Sequence, residues 1–249
     1  NNIPVFQPEN FREDATVEQL KALQPDVVAV VAYGRILPQR VLDIPACGCI
    51  NIHASLLPKY RGAAPINRVI LDGEKETGVT LQQMDIGLDT GDILSLRKTP
   101  IGEEENVGEL FDRLAVMGKE MILEILPSVF EGKLSPTPQD HTLSTYAQKI
   151  TKEDQKIDFS HSSETVLRKI RGLSPVPAAF CLTQKDGKIL KIYSAKKAQS
   201  EKDAPCGTIL SVKPDVLVKT GDGAVLLETV QPEGNLVPLL CLKDTSFLN

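Results

Sequence analysis

The chain has 249 residues, with 28 Lys and Arg against 33 Asp and Glu for a formal net charge of −5. At 24% charged and 41% apolar it can bury a core, which argues against wholesale disorder, and its length suits one large domain or two modest ones. No apolar run is long enough to span a bilayer, no charged-then-apolar start marks a secretory signal, and the mild acidity argues against a non-specific coat for nucleic acid.

The chain opens on Asn1-Asn2 without Met and leads into Ile3-Pro4-Val5-Phe6, a strand-like run. Val17–Leu23 reads as part of a short helix. Asp26–Gly34, rich in Val and Ala and closed by Gly, has the composition of a strand buried on both faces. Pro38–Leu42 suggests a helical turn, and Cys49-Ile-Asn-Ile-His53 alternates as a strand does. Ala63–Leu71 reads as a helix, followed by strands near Val79–Met84 and Ile93–Leu96. Val107–Phe130 is a long amphipathic helix. This order predicts an α/β domain with a largely parallel, Rossmann-like sheet.

Gly132-Lys-Leu-Ser-Pro-Thr-Pro138-Gln-Asp140 holds two Pro and few apolar residues, so it reads as a linker. A helix is predicted at Ser163–Arg171. Short β-like runs follow at Ala178–Leu182, Ile189–Ala195, Thr208–Val212, Val216–Thr220 and Ala224–Val230. Turns at Lys185-Asp186-Gly187 and Gly221-Asp222-Gly223 separate some of them, which predicts a small β-barrel or curled sheet. The predicted division is a first domain over 1–131, a linker over 132–156 and a second domain over 157–249. Charge divides too: residues 1–143 carry 13 basic and 21 acidic side chains, residues 144–249 carry 15 and 12, and the stretch 149–197 carries 11 and 5. Such asymmetry suggests two domains with different partners. The five Cys, at 47, 49, 181, 206 and 241, are scattered without the paired clusters of a zinc site, and read as reduced, buried small residues; no metal is expected.

The densest polar signal is Asn51-Ile-His53-Ala-Ser-Leu-Leu-Pro58-Lys-Tyr-Arg61-Gly62. Residues two apart on a strand share a face, so Asn51 and His53 present an amide and an imidazole together. The second is Met84-Asp85-Ile-Gly87-Leu-Asp89-Thr-Gly91-Asp92, a loop that can approach a ligand closely while offering carboxylates. An Asn amide can donate to a developing oxyanion, a His can carry a proton, and an Asp can orient the imidazole and stabilise its cation. No Ser or Cys nucleophile is needed if a substrate amine attacks directly. Alone, Asn-x-His has little specificity, and an acidic Gly loop is often a plain turn. His141, in the linker, and His161, at a helix start, have no such surroundings.

The two segments together resemble the signature of folate-dependent formyltransferases: Asn51 through Pro65-Ile66, and Gly78-Val-Thr-Leu-Gln-Gln-Met-Asp-Ile-Gly-Leu-Asp-Thr-Gly-Asp92, in that family's order and separation. Similarity extends from Pro4–Pro8 through Val31–Pro38 to Tyr146–Ile150 and Ile157–Ser160. It continues, weaker, to Gly207–Leu210 and Thr220–Gly223. The resemblance places the family's catalytic Asn, His and Asp on Asn51, His53 and Asp89. It implies 10-formyltetrahydrofolate as formyl donor. Within the family it comes nearest to members whose acceptor is the α-amine of initiator methionyl-tRNA. Ser55, Leu56, Leu57 and Pro58 match the folate-binding stretch; Ile36, Leu37, Pro38, Asp85 and Gly87 are expected at the pterin. The family's second domain resembles an OB fold that holds tRNA, which makes Lys149, Lys152, Lys156, Arg168, Lys169 and Arg171 candidates for backbone contacts.

In the mechanism this implies, a neutral amine attacks the formyl carbon, Asn51 and a cationic His53 stabilise the oxyanion, and Asp89 supports the imidazolium. His53 or a water then helps protonate the departing folate nitrogen. Other acceptors within the family are glycinamide ribonucleotide, a sugar-nucleotide amine and water. From outside it come a non-catalytic RNA-binding scaffold and a metal hydrolase built on His53, the last disfavoured by the missing second His. The family also begins upstream of Asn2 with roughly two further βα units, so the first strands of the sheet are expected to be missing here. The tail Gly234–Asn249 departs from the family pattern. The expected setting is a monomer in the cytoplasm or an organellar matrix, without membrane contact.

Overall fold

The computed structural model describes residues 3–183, 187–212 and 215–233. The Lys185-Asp186 part of one expected turn, Cys241 and the tail 234–249 lie outside the described residues. The chain forms two compact units, each discontinuous in sequence. The first draws on residues up to Pro65, Glu76–Pro100 and Arg113–Ala147; the second draws on Ile66–Lys75, Ile101–Asp112 and Gln148 onward.

In chain order, the first part of the protein forms α1 (Asp14–Ala22), β1 (Val28–Val30), α2 (Gln39–Leu42), β2 (Cys49–His53), α3 (Pro65–Leu71), β3 (Glu76–Gln83), β4 (Ile93–Pro100) and α4 (Val107–Phe130). The four strands make one sheet in the order β1-β2-β3-β4. β1 and β2 are parallel, with Val30 beside Asn51, whereas β2–β3 and β3–β4 are antiparallel. The sheet is thus α/β and mixed, with parallel pairing confined to β1–β2. β3 and β4 are joined by residues 84–92 alone, short of the roughly a dozen that a parallel crossover needs. On α4, Leu114, Gly118 and Met121 recur at helical spacing, and the two side chains are buried. A Cβ at Gly118 would come within 2.6 Å of Ile52. α4 therefore lies on the Ile52 face of β2, and Asn51 and His53 are left on the other.

Two expectations at the start of the chain are corrected. Ile3–Phe6 is not a strand, and Val5 is 80% exposed. The run Asp26–Gly34 pairs only at Val28–Val30, and Val31 is 61% exposed. Positive φ values at Ala32 (47°) and Gly34 (70°) take the backbone out of strand geometry before the apolar run ends. Below β1, Val17, Val30, Leu37, Val41, Leu42 and Cys49 form an apolar cluster against which Met84 packs.

The second unit holds α5 (Lys152–Gln155), α6 (Ser163–Leu173), β5 (Ala179–Leu182), β6 (Ile189–Ala198), β7 (Ile209–Ser211), β8 (Val216–Lys219) and β9 (Ala224–Pro232). Its strands form an antiparallel sheet in the order β5-β6-β9-β8-β7. Bulges near Ser194 break the β6–β9 register and curl the sheet. Among the described residues β5 and β7 remain its edges, so the predicted small β domain is a curled open sheet. α6 starts where the Ser162 hydroxyl accepts from Thr165 N–H, and buries Val166, Ile170 and Leu173 against Leu190, Ile192, Val218 and Val225. Residues 66–75 join this unit through Arg68, which makes a two-pronged pair with Asp154 at 2.9 Å on each oxygen. Residues 101–112 join it through Arg171, which donates to the Gly102 and Glu105 carbonyls.

Cys47, Cys49, Cys181 and Cys206 are free. Burial pushes the Cys49 and Cys181 thiols up to about 11. Cys206 is exposed, contrary to the expectation of buried cysteines, because it lies outside the strands in the turn before β7. No helix among the described residues is long and apolar enough to cross a membrane.

Candidate active site

The site is built on the open face of β2 and β3. Asn51 lies opposite Gln82, and His53 opposite Thr80. Side chains of such cross-strand partners share a face. The loop after β3 turns back over this face and delivers Asp89, whose φ is +53°. Gly91 permits the close return, since a Cβ there would sit 1.7 Å from the Gln83 carbonyl oxygen.

Asp89 is the hub. Its Oδ1 accepts from Asn51 Nδ2 at 3.2 Å and from Gln82 Nε2 at 3.0 Å. Its Oδ2 accepts the Gly62 N–H at 2.7 Å. His53 Nδ1 stands 3.7 Å from Oδ1, at ion-pair rather than hydrogen-bond distance, with both side chains largely buried. The three residues expected from the sequence are thus together. Asn51 keeps a second amide hydrogen beyond the one given to Asp89, available to a substrate oxygen.

The segment after β2 fixes the imidazole. His53 Nε2 is 2.9 Å from the Tyr60 carbonyl oxygen. A carbonyl can only accept, so Nε2 carries the proton and Nδ1 is the nitrogen facing Asp89 and the site. Tyr60 holds φ +60°, an unusual conformation for a bulky side chain, and its N–H donates to Thr145 Oγ1. Ser55 Oγ donates to the Lys59 carbonyl, and Thr80 Oγ1 donates to the Ser55 carbonyl while accepting Leu57 N–H. These bonds close 55–60 into a rigid turn.

Beneath the site runs a polar network that the sequence did not announce. Arg61 is buried, and its guanidinium donates to Gln139 Oε1 from Nε (3.2 Å) and Nη2 (2.6 Å), and to His141 Nδ1 at 3.0 Å. The Gln139 amide donates to the Asp89 and Gly91 carbonyls at 3.0 and 2.7 Å. His141 is therefore a structural acceptor. Gln82 could have been suspected, as an amide closing the buried run 77–82 of β3; Gln139, in the polar stretch after Pro136 and Pro138, carries no local signal.

The nine residues expected at the folate divide by exposure. Ser55, Leu57 and Leu37 are buried, with the Ser55 hydroxyl turned inward to its own loop. Asp85 braces its loop by accepting from Gly87 N–H and Thr90 Oγ1. Leu56 and Pro58 are partly buried in the turn, and Pro38 likewise begins α2. Ile36 is exposed, and so are Ile86 and Leu88 on either side of Gly87. Leu37 and Met84 share one apolar cluster, so the segments bearing Ile36 and Ile86 leave a common base.

The six basic candidates also divide. Arg168 donates to the Asp72 carbonyl and to Thr165 Oγ1, Lys169 Nζ donates to the Lys156 carbonyl at 2.8 Å, and Arg171 holds the 102–105 segment. Burial pulls the Lys169 and Arg171 cations down from their ordinary range. Lys149, Lys152 and Lys156 are exposed. A cleft of about 530 Å³ in this unit is lined by Lys156, Phe159, Ser160, Lys169 and Cys206. It contains none of the Asn51, His53 and Asp89 chemistry.

Two family models match the chain: formyl transferase over residues 2–126, and formyl transferase C-terminal domain over 149–237. A methionyl-tRNA formyltransferase of Alkaliphilus oremlandii is 44% identical over 235 residues, which is 94% of this chain and 75% of that protein. One from Geotalea uraniireducens is 46% identical over 234 residues, covering 94% and 74%. The chain thus spans about three quarters of these relatives' length. Among solved structures, HypX from Aquifex aeolicus in complex with tetrahydrofolic acid superposes with TM-score 0.72 at 26% identity, over 88% of this chain and 38% of that one. An N-formyltransferase from Helicobacter canadensis shares the fold, with TM-score 0.59 at 22% identity over 74% of this chain and 65% of its own.

Proposed function

The chain belongs to the formyltransferase family, and on that premise we propose that it moves a formyl group from 10-formyltetrahydrofolate to the α-amine of initiator methionyl-tRNA. The observation that carries this reading is the meeting of Asn51, His53 and Asp89 on one face of β2, in a chain similar over 94% of its length to methionyl-tRNA formyltransferases.

In this reading each residue has one task. The second amide hydrogen of Asn51 donates to the oxyanion that forms when the neutral amine attacks the formyl carbon. His53 Nδ1 carries the proton released by the amine to the folate nitrogen as the old C–N bond breaks, since Nε2 is held by the Tyr60 carbonyl. Asp89 places its negative charge 3.7 Å from Nδ1 and holds the Asn51 amide in its donating orientation. The exposed apolar side chains of Ile36, Ile86 and Leu88 suit the flat face of a pterin. Backbone groups, rather than the buried Ser55 and Leu57 side chains, then supply the polar contacts of that stretch.

Lys149, Lys152 and Lys156 are the cations we assign to tRNA phosphates, since their side chains stand exposed to solvent. Arg168, Lys169 and Arg171 serve the second unit's own fold instead. The enzyme acts as a cytoplasmic monomer. The test offers the protein 10-formyltetrahydrofolate with charged initiator tRNA and, separately, with water, glycinamide ribonucleotide or a sugar-nucleotide amine. Formyl transfer to the methionyl amine alone is the expected result; transfer to any of the others in its place overturns the assignment.

A further inference from the structure

We propose that Gln139 is a positioning residue for this reaction, acting through the backbone of the Asp89 loop; the proposal rests on the reading of Asp89 given above. Asp89 must adopt φ +53° to reach Asn51, Gln82 and Gly62 at once. That conformation is uncommon for a non-Gly residue, although Asp and Asn enter it more readily than most, so neighbours that hold it in place matter. The carboxylate bonds alone do not fix the peptide units that follow Asp89, which are free to rotate unless their carbonyls are held.

Gln139 holds them. Its side chain is 6% exposed, and its Nε2 donates to the carbonyls of Asp89 and Gly91 at 3.0 and 2.7 Å. Its Oε1 accepts both Nε and Nη2 of Arg61. Arginine can only donate and a carbonyl can only accept, so the orientation of the amide is forced at both ends. No other uncharged side chain of this length accepts at one end and donates twice at the other. The segment bearing Gln139 is itself anchored, because Thr137 exchanges two backbone hydrogen bonds with Ile93 at the start of β4 (2.8 and 2.9 Å). Arg61 is one residue from Gly62, whose N–H donates to Asp89 Oδ2. One amide thus ties the Asp89 loop to the 61–62 segment, which supplies one of the three donors to the Asp89 carboxylate.

Two variants separate positioning from bulk stability. Gln139→Glu keeps the acceptor for Arg61 and the side-chain shape but removes the donor to the two carbonyls. Gln139→Met keeps only the shape. Both are expected to lower kcat at least tenfold with the folate KM within threefold. Hydrogen–deuterium exchange over residues 83–93, read without substrate, should speed at least tenfold in both variants, with β6 and β9 unchanged. Parent-like loop exchange in Gln139→Glu overturns the proposal, whatever the activity. So does faster loop exchange with kcat within twofold of the parent. A parent enzyme that fails to formylate methionyl-tRNA sinks the functional reading instead, and the exchange result then decides the loop's dependence on Gln139 by itself.

Discussion

Asn51 and Gln82 face one another across the antiparallel pair of β2 and β3, and both side-chain amides donate to the same oxygen of Asp89, at 3.2 and 3.0 Å. Gln82 is 2% exposed, so its bond to the carboxylate is shielded from water. Losing such a charge-assisted bond costs about 1.5–3 kcal/mol. If Asp89 then relaxes toward Nδ2 of Asn51, the oxyanion donor moves with it. Gln82→Met should therefore lower kcat by roughly tenfold or more, with the folate KM little changed. Steady-state kinetics at saturating tRNA check this, and a parent-like kcat would remove Gln82 from the site's support.

Asn51→Ala and His53→Ala should each lower kcat by roughly a hundredfold or more, with far-ultraviolet circular dichroism unchanged. Asp89→Asn is the sharper probe. Asn tolerates the left-handed φ that Asp89 adopts, but it removes the negative charge 3.7 Å from His53 Nδ1 and turns one of the two accepting oxygens into a donor, so the bonds from Asn51 and Gln82 or the bond from Gly62 are lost with the charge. A large fall in kcat for Asp89→Asn is therefore expected, and near-normal turnover in all three variants would sink the catalytic assignment.

What the sequence disclosed follows from which forces are local. Period-2 alternation placed Asn51 and His53 on one face, and the helical period marked Val107–Phe130 to the residue. The Val-rich run 26–34 misled, because β-branched composition describes what a strand would like to bury and not whether a neighbour is there to bury it. Gln82 and Gln139 stayed hidden because their roles exist only when distant segments meet. The basic stretch misled in a related way: a count of cations cannot tell the exposed Lys152 from Lys169, which is bonded to a carbonyl.

Gly91 should tolerate no side chain. A Cβ there would lie 1.7 Å from the Gln83 carbonyl oxygen, a backbone atom that cannot step aside. Overpacking of this kind costs about 1–3 kcal/mol. Gly91→Ala should lower the melting temperature and reduce kcat together, since the displaced loop carries Asp89. Gly132→Ala is the control, with no atom within 4 Å of the new Cβ but a positive φ of 63°, and it should affect stability without touching kcat.

The division of the basic residues predicts two classes of tRNA-binding defect. Removing one cation that neutralises a phosphate should reduce the slope of log affinity against log salt by roughly 0.7–0.9. Lys149→Ala, Lys152→Ala and Lys156→Ala should flatten that slope and leave the melting temperature alone. Arg171→Ala should lower the melting temperature and leave the slope, because it breaks the bonds to the Gly102 and Glu105 carbonyls. Fluorescence titrations of initiator tRNA across salt concentrations distinguish them; identical slopes in all four variants would reject the assignment.

The Arg68–Asp154 pair predicts a pH signature in stability. Two hydrogen bonds from Arg68, with further bonds from Thr151, hold the Asp154 carboxyl well below the usual carboxylate range. The folded state therefore binds the Asp154 proton less readily than the unfolded chain, whose carboxyl titrates near about 3.9. The resulting stabilisation is fully present above that value and is lost as pH falls through it toward the folded one. Arg68→Met should melt lower than the parent at pH 7, and the gap should narrow steadily between about pH 5 and pH 2. It should not close entirely, because Arg68 also donates to the Gln148 carbonyl, a bond indifferent to pH in this range. Thermal unfolding of both proteins at matched pH measures the gap, and a gap constant down to pH 2 would show that the carboxylate pair is not its source.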